Sequence, residues 1–218
     1  MAALPQGGRL SFSPKLRVET PATALEPDPA QGRSVLAYPT STTDSTHVVM
    51  RDGGVVDITR YPFAERHEDF AMLIEAPGHA LGWCAASRPD TRDAVLSLKN
   101  PRELPVTFLW WSNGGRDYAP WNGRHTGVLG IEEGRSYLLH GHRASATPNP
   151  LSDSGIPTAL VLDPNGRVMV RNVIGAVALP DSGAAIAAVT DQGGSLRIRF
   201  SDGSESSAPF DSDFLAGS

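Results

Sequence analysis

Turn-forming residues recur so closely along this chain that long helices have no room. Of 218 residues, 22 are glycine and 18 are proline, spread throughout rather than gathered in one linker. Proline removes a helix N–H donor and glycine costs backbone entropy, so only short elements fit between them. The intervening stretches are rich in Val, Ile, Phe, Trp and Thr, which suit a pleated surface. Short strands are expected at Arg9–Phe12, Val35–Tyr38, Thr46–Met50, Val55–Ile58, Ala71–Glu75, Leu81–Ala85, Ala94–Leu98, Val106–Trp111, Val128–Ile131 and Ser136–His140. A hairpin is expected from Thr158–Leu162, a Pro164-Asn165-Gly166 turn and Arg167–Val173; further strands follow at Ala184–Thr190, Ser195–Phe200 and Ser206–Phe210. Pro14 to Tyr38 and His140 to Ser152 read as loops. Many short strands with turns at close spacing predict an all-β, antiparallel β-sandwich. With no repeat and no domain-splitting linker, residues 1–218 read as one domain.

Charge and cysteine content narrow the function. The net charge is −5 and the Lys and Arg residues are scattered, which argues against nucleic acid or an anionic membrane as partner. One cysteine, Cys84, excludes an intramolecular disulfide and a multi-cysteine metal site. Cys84 stands in an apolar run with no neighbouring base, as a core filler does. The start, MAALPQGGRLSFSP, lacks the basic-then-apolar plan of a signal peptide. No apolar run approaches the roughly 18 residues that a membrane helix needs. These features predict a cytoplasmic protein without a cofactor.

The chemistry concentrates in Val106 to Gly134, VTFLWWSNGGRDYAPWNGRHTGVLGIEEG. A strand breaks at Asn113-Gly114-Gly115, where positive φ comes cheaply. The loop beyond it carries Arg116, Asp117, Tyr118, Trp121, Asn122, Arg124 and His125, and a second strand ends on Glu132 and Glu133. Aromatic plates, fork-shaped donors and a carboxylate at a strand end suit a sugar site. Alternation along a strand sends Glu132 and Glu133 to opposite faces, so one can enter a pocket while the other stays in solvent. By the same rule one of Trp110 and Trp111 fills the core and the other covers an edge. Trp121, in a Pro-Trp-Asn-Gly turn, offers a platform for an apolar sugar face.

Rival chemistries find less support. His67, Glu68 and Asp69 form an acid/base cluster or, more plainly, a solvated charged loop. His140 and His142 share one face of an extended segment, but no matching third and fourth ligands can be identified. Asn113-Gly114-Gly115-Arg116 lacks the Lys-Ser/Thr and following helix of a phosphate loop. No Gly-x-Ser-x-Gly elbow supports a serine hydrolase.

Trp110 to Gly134, with Ile131-Glu132, resembles the aldose 1-epimerase (galactose mutarotase-like) family, in particular its uncharacterised bacterial branch. In that family a strand ending in Ile-Glu, often followed by proline, carries the catalytic base. The resemblance therefore implies Glu132 as base, with Glu133 in place of the proline. His67-Glu68-Asp69-Phe70-Ala71-Met72-Leu73 is similar to the family's acidic strand start, whose Asp holds sugar hydroxyls, which points to Asp69. Asn149-Pro150-Leu151-Ser152 and Leu162-Asp163-Pro164-Asn165-Gly166 are similar to its closing hairpins. The similarity covers most of residues 60–175. Leu4-Pro5-Gln6-Gly7-Gly8 resembles text midway through longer members, so the N-terminal strands and their general-acid histidine are expected to be missing, leaving sheet edges open to a homodimer.

The implied activity is anomer exchange of a hexose or related sugar in a mutarotase-like supersandwich. Glu132, its acidity set by burial near Trp121, takes the anomeric proton. Asp69, Asn122 and Arg124 hold hydroxyls, and His125 or His67 replaces the missing acid. A non-catalytic carbohydrate-binding sandwich and a β-rich assembly protein whose loop aromatics form an interface are the alternatives.

Overall fold

The structure, a computed structural model, describes residues 2–3, 6–24, 33–137 and 140–216. Its spine is β8 (His67–Glu75), nine residues that are all buried. β8 lies between β11 (Val106–Asn113) and β3 (Lys15–Glu19) in a six-stranded antiparallel sheet. β12 (Val128–Gly134) with β1 (Ala2–Ala3), and β4 (Ser41–Thr42), complete the order β1-β12-β11-β8-β3-β4. A five-stranded antiparallel sheet packs against it, in the order β13-β10-β9-β2-β7. Its strands are β13 (Asn172–Ala178), β10 (Asp93–Lys99), β9 (Gly82–Arg88), β2 (Gly8–Phe12) and β7 (Arg60–Tyr61). A short pair, β5 (Val48–Val49) with β6 (Val55–Val56), lies beside them. The all-β sandwich stands: 41% of the chain is strand and 8% is helix.

Three apolar layers follow from strand alternation. Inward-facing Ala71, Leu73, Leu109, Trp111 and Leu129 of the larger sheet meet Leu10, Cys84 and Ala86 of the smaller one. Burial pushes the Cys84 thiol up to about 12, as a packing residue rather than a nucleophile. On the far face of the smaller sheet, Trp83, Leu96 and Leu98 are covered by β14 (Ile186–Asp191), β15 (Ser195–Phe200) and β16 (Glu205–Pro209), with α3 (Ser212–Ala216) alongside. On the far face of the larger sheet, Phe70, Met72, Ile74 and Phe108 are covered by Leu151, Ile156 and Tyr137.

That last cover differs from the sequence reading. Residues 140–153, expected as loop and closing hairpin, hold α1 (Gly141–Ala146) and the single turn α2 (Pro150–Asp153). Asn149 caps α2, its Oδ1 accepting from the N–H groups of Leu151 and Ser152 at 3.1 Å, with proline at the first helical position. Three other expectations also change. Lys15–Glu19 is a strand inside the expected loop. Of Val35–Tyr38 only Leu36 bridges, to Met50. The Asp163–Gly166 turn forms, but its flanks are not strands until Asn172. Leu4 and Pro5, residues 25–32 within the expected loop, and Leu138 and Leu139 of the expected Ser136–His140 strand lie outside the described residues.

One polar cluster interrupts the inner core. Lys99 Nζ lies 3.0 Å from Glu75 Oε1 and 2.5 Å from Glu133 Oε2, and Lys15 pairs with the same Glu75 oxygen. Burying charge is costly unless it is paired, and these groups neutralise one another two against two. Burial alone would raise Glu75, but Lys15 and Lys99 outweigh it and hold its carboxyl below the usual carboxylate range. No helix among the described residues is long and apolar enough to cross a membrane.

Candidate functional site

β8 carries three consecutive polar residues, His67, Glu68 and Asp69, all 0% exposed. They are not a solvated loop but the start of the central strand, and alternation divides them. His67 and Asp69 face inward. Asp69 accepts hydrogen bonds from the N–H groups of Val35 and Leu36, from the Tyr38 hydroxyl at 2.9 Å, and pairs with His67 Nδ1 at 2.8 Å. Its lone pairs are taken up in fastening segment 35–38 to the sheet. The placement of His67 and Asp69 at a sugar is therefore corrected: both lie inside the sandwich, His67 against Phe63 with ring centroids 4.2 Å apart.

Glu68 faces the other way. Its Oε2 accepts from Trp110 Nε1 at 2.9 Å and its Oε1 from Ser112 Oγ at 2.6 Å. Ser112 Oγ also lies 2.6 Å from His125 Nδ1. A hydroxyl has one hydrogen; when Ser112 gives it to ionised Glu68, His125 Nδ1 must donate. In the neutral ring that tautomer leaves the lone pair on His125 Nε2. Burial raises the Glu68 carboxyl, an effect tempered by the Ser112 and Trp110 hydrogen bonds and by the charges of Arg116 and His125.

Around His125 the loop assembles aromatic plates. The ring centroids of Trp110 and Trp121 lie 5.5 and 5.6 Å from that of His125. The Arg116 guanidinium sits 5.4 Å from the Trp110 ring and 5.1 Å from the Trp121 ring. The chain reaches this shape through Gly114 (φ +74°), Asn122 (φ +48°) and Gly123 (φ +67°). Gly115 lets the loop lie against β8: a Cβ there would come within 2.6 Å of the His67 carbonyl carbon and 2.7 Å of the Glu68 nitrogen.

Two further residues expected at the sugar stand in the turn that carries Trp121. Asn122 is an exposed turn residue whose N–H donates to the Tyr118 carbonyl. Arg124 donates to the Pro120 carbonyl at 3.0 Å and the Trp121 carbonyl at 3.4 Å, which fixes the strip that carries Trp121.

The paired carboxylates separate as alternation requires. Glu133 is the buried one, held by Lys99 and by Thr107 Oγ1, which donates at 2.8 Å. Glu132 shares the outer face with Trp110: a Cβ on Gly130 would sit 3.2 Å from both Glu132 Oε1 and Trp110 Cβ. Glu132 is exposed, not buried against Trp121 as expected. Sequence reasoning missed Glu68, Trp110 and Ser112 as parts of this face. The signal was there in the period-two pairing of Glu68 with Phe70 and of Trp110 with Ser112. Among the described residues no group of three His, Cys, Asp or Glu side chains is arranged to hold a metal ion.

Comparison of the chain with protein-family models, curated proteins and solved structures gives no match, so the family resemblance rests on the sequence motifs themselves.

Proposed function

We propose that the outer face of the larger sheet binds a hexose or related sugar and exchanges its anomers. The reading is carried by one observation: Trp110, Trp121, His125 and Glu132 belong to a single face, behind which Glu68 is buried and bonded through Ser112 to His125. Trp110 and Trp121 offer plates for the apolar side of the ring. Glu132 takes the proton of the anomeric hydroxyl. His125 Nε2 delivers a proton to the ring oxygen, the C1–O5 bond opens, and rotation about C1–C2 followed by closure gives the other anomer. The two groups then exchange protons with solvent and are restored. Ser112 and Glu68 act on His125: they fix its orientation and keep Nδ1 protonated while Nε2 works.

The exposure of Glu132 favours a second reading, a carbohydrate-binding face without turnover, because electrostatic catalysis is strongest where water is excluded. Polarimetry of freshly dissolved α-glucose and α-galactose separates the two. Acceleration by the wild-type chain and its loss in Glu132→Gln supports the epimerase. Tryptophan fluorescence that shifts with sugar while rotation decays at the spontaneous rate supports the binder, and no response of either kind removes sugar recognition.

A further inference from the structure

The opposite end of the larger sheet carries a concavity, unrelated to the aromatic face. It is a cleft of about 630 Å³ between the β8–β9 turn, the β10–β11 turn and the segment after α2. The size falls within the roughly 300–1,000 Å³ of small-molecule sites. Its walls are largely apolar: Leu16, Ile156 and the prolines Pro77, Pro101, Pro105 and Pro157. Four prolines on three separate connections make those walls stiff before anything binds.

Three ionisable side chains line it: Glu75, His79 and Arg102. Glu75 is spoken for, since Lys15, Lys99 and the Ser13 hydroxyl hold it from behind. Its Oε2 lies 3.0 Å from His79 Nε2, which fixes the imidazole at the wall of the cleft. Glu75 and Glu133 balance Lys15 and Lys99, so among the residues that line this cleft Arg102 carries the unbalanced charge. Arg102 is exposed at the rim and its guanidinium can take a carboxylate through two parallel N–H donors. An adjoining concavity of about 290 Å³, lined by Leu81, Phe210 and Leu215 with Asp191 as its one carboxylate, shares His79 and Arg102 with the cleft.

We propose that this cleft is a binding site for a small carboxylate with a compact apolar body, the carboxylate at Arg102 and the apolar part against Leu16 and Ile156. An ammonium compound would face the Arg102 guanidinium, and a neutral analogue would leave it unengaged.

Benzoate, benzyl alcohol and benzylamine are suitable probes for amide NMR titration and calorimetry on the full chain. Benzoate should bind, shift the amides of Gly78, His79, Ala80 and Gly155, and exceed the other two by about tenfold or more. Arg102→Gln, at an exposed position, should lower benzoate affinity by about tenfold, and Leu16→Asp should abolish it. Equal binding of the alcohol or the amine overturns the proposal, as does the absence of benzoate binding. Shifts at Arg116 and His125 in place of the cleft amides would put the anion on the aromatic face and also overturn it. Sugar recognition by that face is tested separately, so either assignment can fail alone.

Discussion

Asp69 and Glu68 are neighbours on one strand, both fully buried, and they do different work. Asp69 is saturated: two backbone N–H groups, a tyrosine hydroxyl and a histidine use its oxygens, and the result is a loop fastened to a sheet. Glu68 has two partners, and one of them, Ser112, leads outward to His125 on a face lined with tryptophan. A buried carboxylate whose contacts end within the fold stabilises it. One whose contacts lead toward a surface imidazole is placed to act on chemistry. One residue of strand alternation makes the difference.

Asp69→Ala should break the inner half of the pair. It leaves the Val35 and Leu36 N–H groups, Tyr38 and His67 without their acceptor, at a cost of about 4 kcal/mol in urea unfolding. Gly115→Ala attacks the seam between the two halves. With backbone atoms 2.6 and 2.7 Å from the added Cβ, the loop must shift, at a cost of about 2–3 kcal/mol and with loss of the His125–Ser112 contact in the imidazole NMR spectrum.

Glu68→Gln should cost less, about 1 kcal/mol, while reducing anomer exchange far more than stability. Its pH signature has a definite sign. Because burial raises Glu68 in the folded state, its contribution is complete below the ordinary carboxylate value and declines as pH rises toward the raised one. Glu75, held low, behaves oppositely: its contribution is present above the ordinary value and is lost on acidification through the lowered one. Urea midpoints against pH should therefore lose their decline with rising pH in Glu68→Gln. Glu75→Gln, less stable throughout, should lose the acid-side slope. Trp121→Ala should have the smallest effect on folding, within about 0.5 kcal/mol, while weakening the fluorescence response to sugar about tenfold.

Much of the fold was legible because its signals are local. The runs at Ala94–Leu98, Val106–Trp111 and Ser195–Phe200 are apolar, β-rich and bounded by turns, and each forms a strand close to the expected limits. The sandwich class followed. The start of β8 was not legible, because His67-Glu68-Asp69 has the composition of an exposed loop. What buries it is distant in sequence: Val35, Leu36 and Tyr38 on one side, Trp110, Ser112 and His125 on the other. The same holds for Lys99, which reads as a strand-end charge and is buried between Glu75 and Glu133. At the candidate site, Trp121, His125 and Glu132 were readable from a dense motif. Arg124, chemically suited to hold a sugar, is used by the turn itself.

The most direct test compares the two histidines that sequence left as rival acids. Polarimetry of α-galactose and α-glucose with wild type, His125→Gln and His67→Gln, each corrected for folded fraction, asks which face of the sheet carries the proton. The outer-face account predicts that His125→Gln falls to the spontaneous rate while His67→Gln keeps its acceleration. Retained activity in His125→Gln with loss in folded His67→Gln would contradict it and move the chemistry to the inner face.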